Sequence, residues 1–234
     1  MVKPRSRTKV ALSRSRGDYL KALYVLAETE PDVAPSRLAA RLAVSAPSVT
    51  NMLRRLAAEG LVARSRGAGA RLTAAGRHEA LILVRRHRIL EAFLVRVLGL
   101  DWSDVHEDAE VLEHHVSDRV LDALDRLMAH PSEDPHGHPI PDRRGRLARR
   151  ALRPLASLPR GARATVREIR DRDRRRMAAW KQSGLVPGAR VRMCDVRALD
   201  DVYEVDVEGR RLVTGSEGLD GVLVEPRREG AHER

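Results

Sequence analysis

The chain has 234 residues, a formal net charge of +11 and only 3% aromatic residues. Its hydrophobic content of 42% supports a core built from Leu, Val and Ala, and the basic excess favours a polyanionic partner, nucleic acid before anionic membrane. The lone Cys194 excludes an internal disulfide framework, no apolar run reaches bilayer-spanning length, and MVKPRSRTKV lacks a signal-peptide core, so a soluble cytoplasmic protein with no membrane partner is expected.

Residues 1–76 predict a winged helix-turn-helix. Tyr19, Leu20, Leu23, Tyr24 and Leu26 suit one apolar side of a first helix. A second helix over Pro35 to Leu42 opens with proline, where a missing N–H costs nothing. A third starts at Ser45, a good N-cap, and ends at Gly60, with Val49, Leu53 and Leu56 inward. LVARSRGAGARLT then reads as strand, glycine turn, strand.

The segment 77–142 predicts a helical domain. Thr73 caps its first long helix and Gly99 ends it; Ser103 caps a second that runs to about His130. Val105, Ala109, Leu112, Val116, Val120, Leu124 and Leu127 make one continuous stripe on that second helix, which calls for a partner surface and hence a homodimer. On a single helix His106, Glu110, Glu113 and His114 would share an arc of about 100° beside the stripe. RRHRILEAF places His87 and Glu91 one turn apart on the preceding helix. Carboxylates and imidazoles converging from two helices suit a divalent metal; the competing reading is a solvated face with structural histidines, and spacing does not separate the two.

PSEDPHGHPIPD is turn-rich, and 143–160 reads as an arginine-rich linker, partly solvated. Over 161–228 the short runs ATVREI, RVRMCDV, VYEVDV, RLVTG and GVLVE, with a helical insertion near Arg174 to Gln182, predict a small β-barrel, followed by a disordered tail at 229–234.

The DNA reader would be SAPSVTNMLRR. Ser45, Pro47, Ser48, Thr50 and Asn51 would face the major groove, where Asn binds adenine and Pro touches a thymine methyl. Arg54 and Arg55 would hold phosphate, with Arg64, Arg66 and Arg71 gripping from the wing. Enzyme templates are missing: there is no HExxH, GxSxG, Walker A loop or dinucleotide fingerprint, and no catalysis is expected.

This order of parts, with RRHRILEAFL, VHEDAEVLEHHVSDRV and DPHGHPIP, resembles the diphtheria-toxin-repressor family of metal-dependent regulators. The resemblance implies a mainly α protein with a C-terminal SH3-like (FeoA-type) domain, a homodimer on a palindromic double-stranded operator, and a divalent metal co-repressor. The family's iron branch carries Met and Cys where this chain has Asp18 and Glu110. The implied primary site is therefore the manganese type, Asp18, His87, Glu110, Glu113 and His114, holding Mn²⁺ with Fe²⁺ still admissible. Small two-domain manganese regulators place a Glu one turn after the Asp; here Lys21 stands there, a departure that puts a paired-metal site in doubt. An ancillary site is implied at Glu91, His106, Asp134, His136 and Asp171. The expected function is a Mn²⁺-activated repressor of metal-uptake genes; the alternatives are an iron-responsive repressor of the same family and a winged-helix regulator sensing a non-metal ligand.

Overall fold

A computed structural model describes residues 7–64, 69–148, 150–171 and 173–227. Arg66 and the tail at 229–234 lie outside the described residues. The chain divides into two compact units, one of Met1–His87, Glu113–Val116 and Pro141–Leu147, the other of Arg88–Leu112, Ser117–Ile140 and Ala148–Arg234.

In the first unit, helix α1 (Arg7–Leu26) is the axis. Tyr19, Leu20, Ala22, Leu23, Tyr24 and Leu26 are all buried, so its second half is covered over most of its circumference rather than on one side. That enclosure takes in Lys21, which is only 6% exposed. Helix α2 (Pro35–Leu42) ends in a left-handed Ala43, and α3 (Ala46–Ala58) starts at Ser45, whose side chain accepts from the Ser48 N–H. Val49, Leu53 and Leu56 pack inward with Leu38 of α2. Strands β1 (Val62–Arg64) and β2 (Ala70–Leu72) pair antiparallel as the wing, and Val33 bridges to Ala70. Helix α4 (Ala74–Arg96) is capped by Thr73, whose hydroxyl accepts from the Gly76 N–H at 3.1 Å. A Cβ on Gly76 would stand 2.0 Å from the Leu61 carbonyl oxygen, so only glycine lets the helix start this close to the wing.

In the second unit, the single long helix expected after Ser103 is two. Helix α5 (Val105–Leu112) and helix α6 (Asp118–Leu127) are separated by 113–117, and Ser117 caps α6 by accepting from the Val120 N–H. Arg86 explains the break within the first unit: its guanidinium donates to the Glu113 carbonyl at 3.0 Å and to the Val116 carbonyl. Those acceptors are thereby satisfied without an uninterrupted helix. The predicted arc is overturned with it, because Glu113 and His114 leave the helical path that carries His106 and Glu110. The apolar stripe is also interrupted. Val105, Ala109 and Leu121 are buried, Val116 lies off the helices, and Val120 and Leu127 are exposed at 45% and 65%.

The remainder of the second unit is an antiparallel six-stranded sheet, in the order β3 (Arg153–Pro154), β8 (Val222–Pro226), β4 (Arg163–Ile169), β5 (Arg190–Arg197), β6 (Val202–Val207) and β7 (Arg210–Thr214). Register shifts at Val166/Glu168 and Met193/Asp195 bend β4 and β5, as bulges do. The β6–β7 turn is tight, with Glu208 and Gly209 both at positive φ. Helix α7 (Arg174–Ser183), capped by Asp173, lays Met177 and Trp180 on the core of Val166, Met193, Val205 and Val224. The expected linker is shorter than 143–160: Arg153–Pro154 pairs with β8, and Leu155 and Leu158 are buried in the sheet core. Apolar residues within the arginine run explain this; they dock although their neighbours are solvated.

Candidate metal centre and DNA-reading helix

Three elements of the first unit meet at Glu113. Asp18 and Lys21 come from α1, one turn apart; His87 comes from α4; Glu113 and His114 come from the turn that Arg86 holds open. Asp18 Oδ1 stands 2.9 Å from His114 Nε2, and His114 Nε2 stands 3.5 Å from Glu113 Oε1. Ligand atoms on neighbouring corners of an octahedron with bonds of about 2.1 Å stand about 3 Å apart, so this spacing fits two carboxylates and an imidazole around one small divalent ion. All three donors lie within 4.8 Å of one another.

His87 and Lys21 hold Glu113 rather than completing that triangle. His87 Nδ1 is 2.6 Å from Glu113 Oε2, too close for two ligands on one ion and right for an N–H donated to a carboxylate. That tautomer leaves Nε2 as the lone-pair atom of the ring. Lys21 Nζ donates to Glu113 Oε1 and Oε2, each at 2.8 Å, and lies 3.2 Å from His87 Nδ1. Burial pushes the Glu113 carboxyl pKa up, but the His87 hydrogen bond and the Lys21 charge outweigh it and hold the pKa below the ordinary glutamate value. Glu113 is thus kept as an anion at 2% exposure. Four of the five expected primary residues, Asp18, His87, Glu113 and His114, therefore gather here. Glu110 belongs to the second unit, on α5, with its carboxylate 3.4 Å from His106 Nε2.

The second unit gathers a second polar cluster. Glu91, 2% exposed, meets His106 Nδ1 at 3.1 Å and His136 Nδ1 at 3.8 Å. Asp134 is equally enclosed. It accepts from the His136 and His138 backbone N–H groups at 2.8 and 3.0 Å and meets His138 Nδ1 at 3.0 Å. Asp134, His136 and His138 offer a further three-ligand group. Burial lowers the pKa of the His136 imidazole, but the Glu91 and Asp134 carboxylates and the Trp102 carbonyl outweigh it and raise it to about 9. Gly137 turns this loop at φ +84, and a Cβ there would meet the Arg167 carbonyl oxygen at 1.8 Å. Asp171, expected in the same site, instead accepts from the Asp173 N–H and pairs with Arg176 at 2.7 Å, outside any three-ligand group among the described residues. Two participants were absent from the sequence expectation. His138 was signalled by PHGHP; Lys21 as a partner of Glu113 had no local signal, since the two are 92 positions apart.

On α3, Pro47, Ser48, Asn51, Arg54 and Arg55 are exposed on one side, opposite the buried Val49, Leu53 and Leu56. Ser45 is spent on the cap, Thr50 donates back to the Ala46 carbonyl at 3.1 Å, and Arg54 donates to Asn51 Oδ1 at 3.2 Å. Of the expected wing contacts, Arg64 is exposed and Arg71 is clamped to Asp32, with Nη2 2.6 Å from Oδ2.

Residues 11–70 match the family described as iron dependent repressor, N-terminal DNA binding domain; 73–142 match its metal binding and dimerisation domain, and 153–226 a FeoA domain. The iron-dependent repressor IdeR of Mycobacterium leprae is 33% identical over 188 residues, 74% of this chain and 80% of that one. The chain belongs to the iron-dependent repressor family. Another such repressor, the diphtheria toxin repressor of Corynebacterium diphtheriae, is 35% identical over 53% of this chain and 54% of its own. Among solved structures, a manganese-dependent transcriptional repressor in complex with manganese superposes with a TM-score of 0.85 at 36% identity, covering 91% of this chain and all of that one. The iron-dependent repressor fold thus comprises the winged helix, the helical metal-binding and dimerisation segment, and the SH3-like sheet. No helix among the described residues is long and apolar enough to cross a membrane.

Proposed function

We propose that this member of the iron-dependent repressor family is a Mn²⁺-activated repressor of metal-uptake genes, acting in the cytoplasm as a homodimer on a palindromic operator and catalysing no reaction. The observation that carries the metal assignment is the meeting of Asp18 with His114, 2.9 Å apart, beside the buried Glu113 carboxylate. Oxygen donors favour a hard divalent ion, and no thiol or thioether stands at Asp18 or Glu110 to favour a softer one. The likeness to a manganese-dependent repressor structure at 36% identity supports the same reading. Iron is the second reading, supported by the resemblance to IdeR at 33% identity.

Metal would act through α1. Asp18 of α1 and His114 of the 113–114 turn would hold the ion together, and the Leu20, Leu23 and Tyr24 side chains of α1 share one core with Leu53 and Leu56 of the reading helix. Binding favours the DNA-competent arrangement only by as much as the ion prefers it. The test is fluorescence anisotropy on fragments upstream of metal-transporter genes, with chelator, Mn²⁺, anaerobic Fe²⁺ and Zn²⁺ in turn. Sequence-selective binding with Mn²⁺ that His114→Ala abolishes is expected. An equal response to Fe²⁺ moves the assignment to iron, and binding indifferent to metal refutes both.

A further inference from the structure

The outer face of the six-stranded sheet carries charge that the fold does not use. Strand alternation turns Ala164 and Val166 of β4 and Val191 and Met193 of β5 into the core, and leaves Arg163, Arg190 and Arg192 exposed on the other face. Arg163 stands directly opposite Arg192 in the β4–β5 register. Like charges directly opposite on neighbouring strands destabilise a sheet, and opposite charges stabilise it. Two neighbours are balanced in that way: Arg190 pairs with Glu208 at 2.9 Å, and Arg167 with Glu225 at 2.7 Å. Arg163, Arg192 and Arg227 have no ion pair and no side-chain hydrogen bond among the described residues. Asp206, opposite Arg192 on β6, is engaged in the β6–β7 turn, where its Oδ1 accepts from the Gly209 N–H at 3.2 Å.

These arginines line a hollow of about 490 Å³, together with Arg190. A second hollow of about 470 Å³ shares Arg190 and Arg227 with the first and adds Arg167. Joined through the shared residues, the two make a track rather than a socket, which suits a ligand that repeats its negative charge along its length. No aromatic residue lines either hollow, so there is no platform on which bases could stack. What the track offers is guanidinium groups, whose forks match phosphate oxygens. The chain carries a net charge of +11, and residues 11–70 match a DNA binding domain, so double-stranded DNA is the polyanion this molecule meets.

We propose that this face of the FeoA-type sheet is a second DNA contact, in which Arg163, Arg192 and Arg227 hold backbone phosphates without reading bases. The reading helix α3 belongs to the first unit and the track wholly to the second, so the contact is one of its own and not an extension of α3. A phosphate beside Arg163 and Arg192 compensates both cations at once and removes the cost of setting them opposite each other. Phosphate contacts raise affinity for all sequences alike and release counterions, so their signature is the salt dependence of binding. The contact does not depend on which metal activates the chain.

The test uses the full chain and anisotropy titrations of a scrambled duplex, where sequence reading does not enter, from about 50 to about 200 mM salt. Arg163→Gln/Arg192→Gln is expected to reduce the salt slope by about 2, so that its deficit against wild type shrinks about tenfold over that range. Arg163→Lys/Arg192→Lys keeps both charges and is expected to keep the slope. Arg175→Gln/Arg210→Gln removes the same charge from two exposed arginines outside both hollows and is expected to change the slope by less than about 1. Arg192→Gln alone, expected to lower the slope by about 1, repeats the test should the double variant lose thermal stability. An unchanged slope in the Arg163/Arg192 Gln pair overturns the proposal. Equal losses in the two Gln pairs also overturn it, because the slope would then report net charge and not this face. So does tighter binding of poly-glutamate than of duplex at equal charge, which would assign the face to an acidic protein. Wild type that shows the expected slopes here but ignores metal on the operator refutes the Mn²⁺ reading and leaves this contact standing.

Discussion

Replacing Glu113 by Gln tests what holds the first unit together when no metal is present. Gln keeps the side-chain volume and an oxygen that can still accept from His87, but it removes the charge facing Lys21. The ammonium cannot swing to water, because α1 is enclosed around it and its residue is 6% exposed. Breaking a buried ion pair from one side costs about 3–5 kcal/mol, since the surviving charge keeps its desolvation penalty and loses its compensation. With both Glu113 contacts at 2.8 Å and the carboxylate residue 2% exposed, the full range applies. The double variant Lys21→Met/Glu113→Gln removes both charges and should lie within about 1–2 kcal/mol of wild type, as neutral replacements of buried pairs do. Hydrogen exchange of the α1 amides at 19–24, in chelator, reads the opening of this unit separately from the sheet. If Glu113→Gln loses less than about 1 kcal/mol, or the double variant is worse than the single, the pair is not the electrostatic core described here.

Further outcomes follow from the rest of the molecule. Asn51→Ala should cost about 1–3 kcal/mol of binding to the preferred operator and flatten sequence selection, whereas Arg55→Ala should weaken all DNA alike and reduce the salt slope by about 1, both read by anisotropy titrations. Gly76→Ala drives a methyl into the Leu61 carbonyl at 2.0 Å and should lower thermal stability by about 1–3 kcal/mol or more, read by calorimetry. Val120→Glu with Leu127→Glu charges two residues exposed at 45% and 65% on α6 and should shift the dimer toward monomer in light scattering; an unchanged mass would place the interface elsewhere. The Asp101 carboxyl is held at about 2 by Lys181 and by the Ser103 backbone and hydroxyl. Its folded pKa is below the unfolded value, so its contribution is present above about pH 4 and is lost as pH falls through 2. Asp101→Asn should therefore flatten the acid limb of the stability profile, followed by fluorescence of the neighbouring Trp102.

The winged helix was legible because its signals are local. Ser45 caps, proline opens α2 and α3, and Val49, Leu53 and Leu56 repeat at helical spacing. The break at 113–117 was not legible, because residues before and after it keep the same three- and four-residue rhythm. Within the first unit Arg86, 27 positions away from Glu113, takes the Glu113 carbonyl that a continuing helix would have used. The helical-wheel grouping failed because Glu113 and His114 lie in a turn after α5, to which 3.6 residues per turn does not apply. His87, Glu113 and His114 still come together in the first unit, since they were marked by residue type and by resemblance rather than by the wheel. Asp171 shows the converse. An acid at a strand end had two uses, and the arginine at 176 supplied the nearer one.

Both polar clusters place a protein cation against carboxylates that could serve metal: the Lys21 ammonium against Glu113, and His136, with its pKa raised to about 9, near Glu91 and Asp134. The physical reason is shared. Buried carboxylates need compensation whether or not an ion is at hand, or the fold without metal would be lost along with the signal. The two cations differ in how they yield. An imidazole that gives up its proton becomes a ligand in its own right, so at the second cluster the compensating group can be converted into part of a coordination shell. An ammonium can only be displaced or endured, and Lys21 is confined by the helix that carries it. At the first cluster the ammonium therefore compensates Glu113 as a fixed charge, whereas at the second the imidazole compensates with a proton that it can exchange.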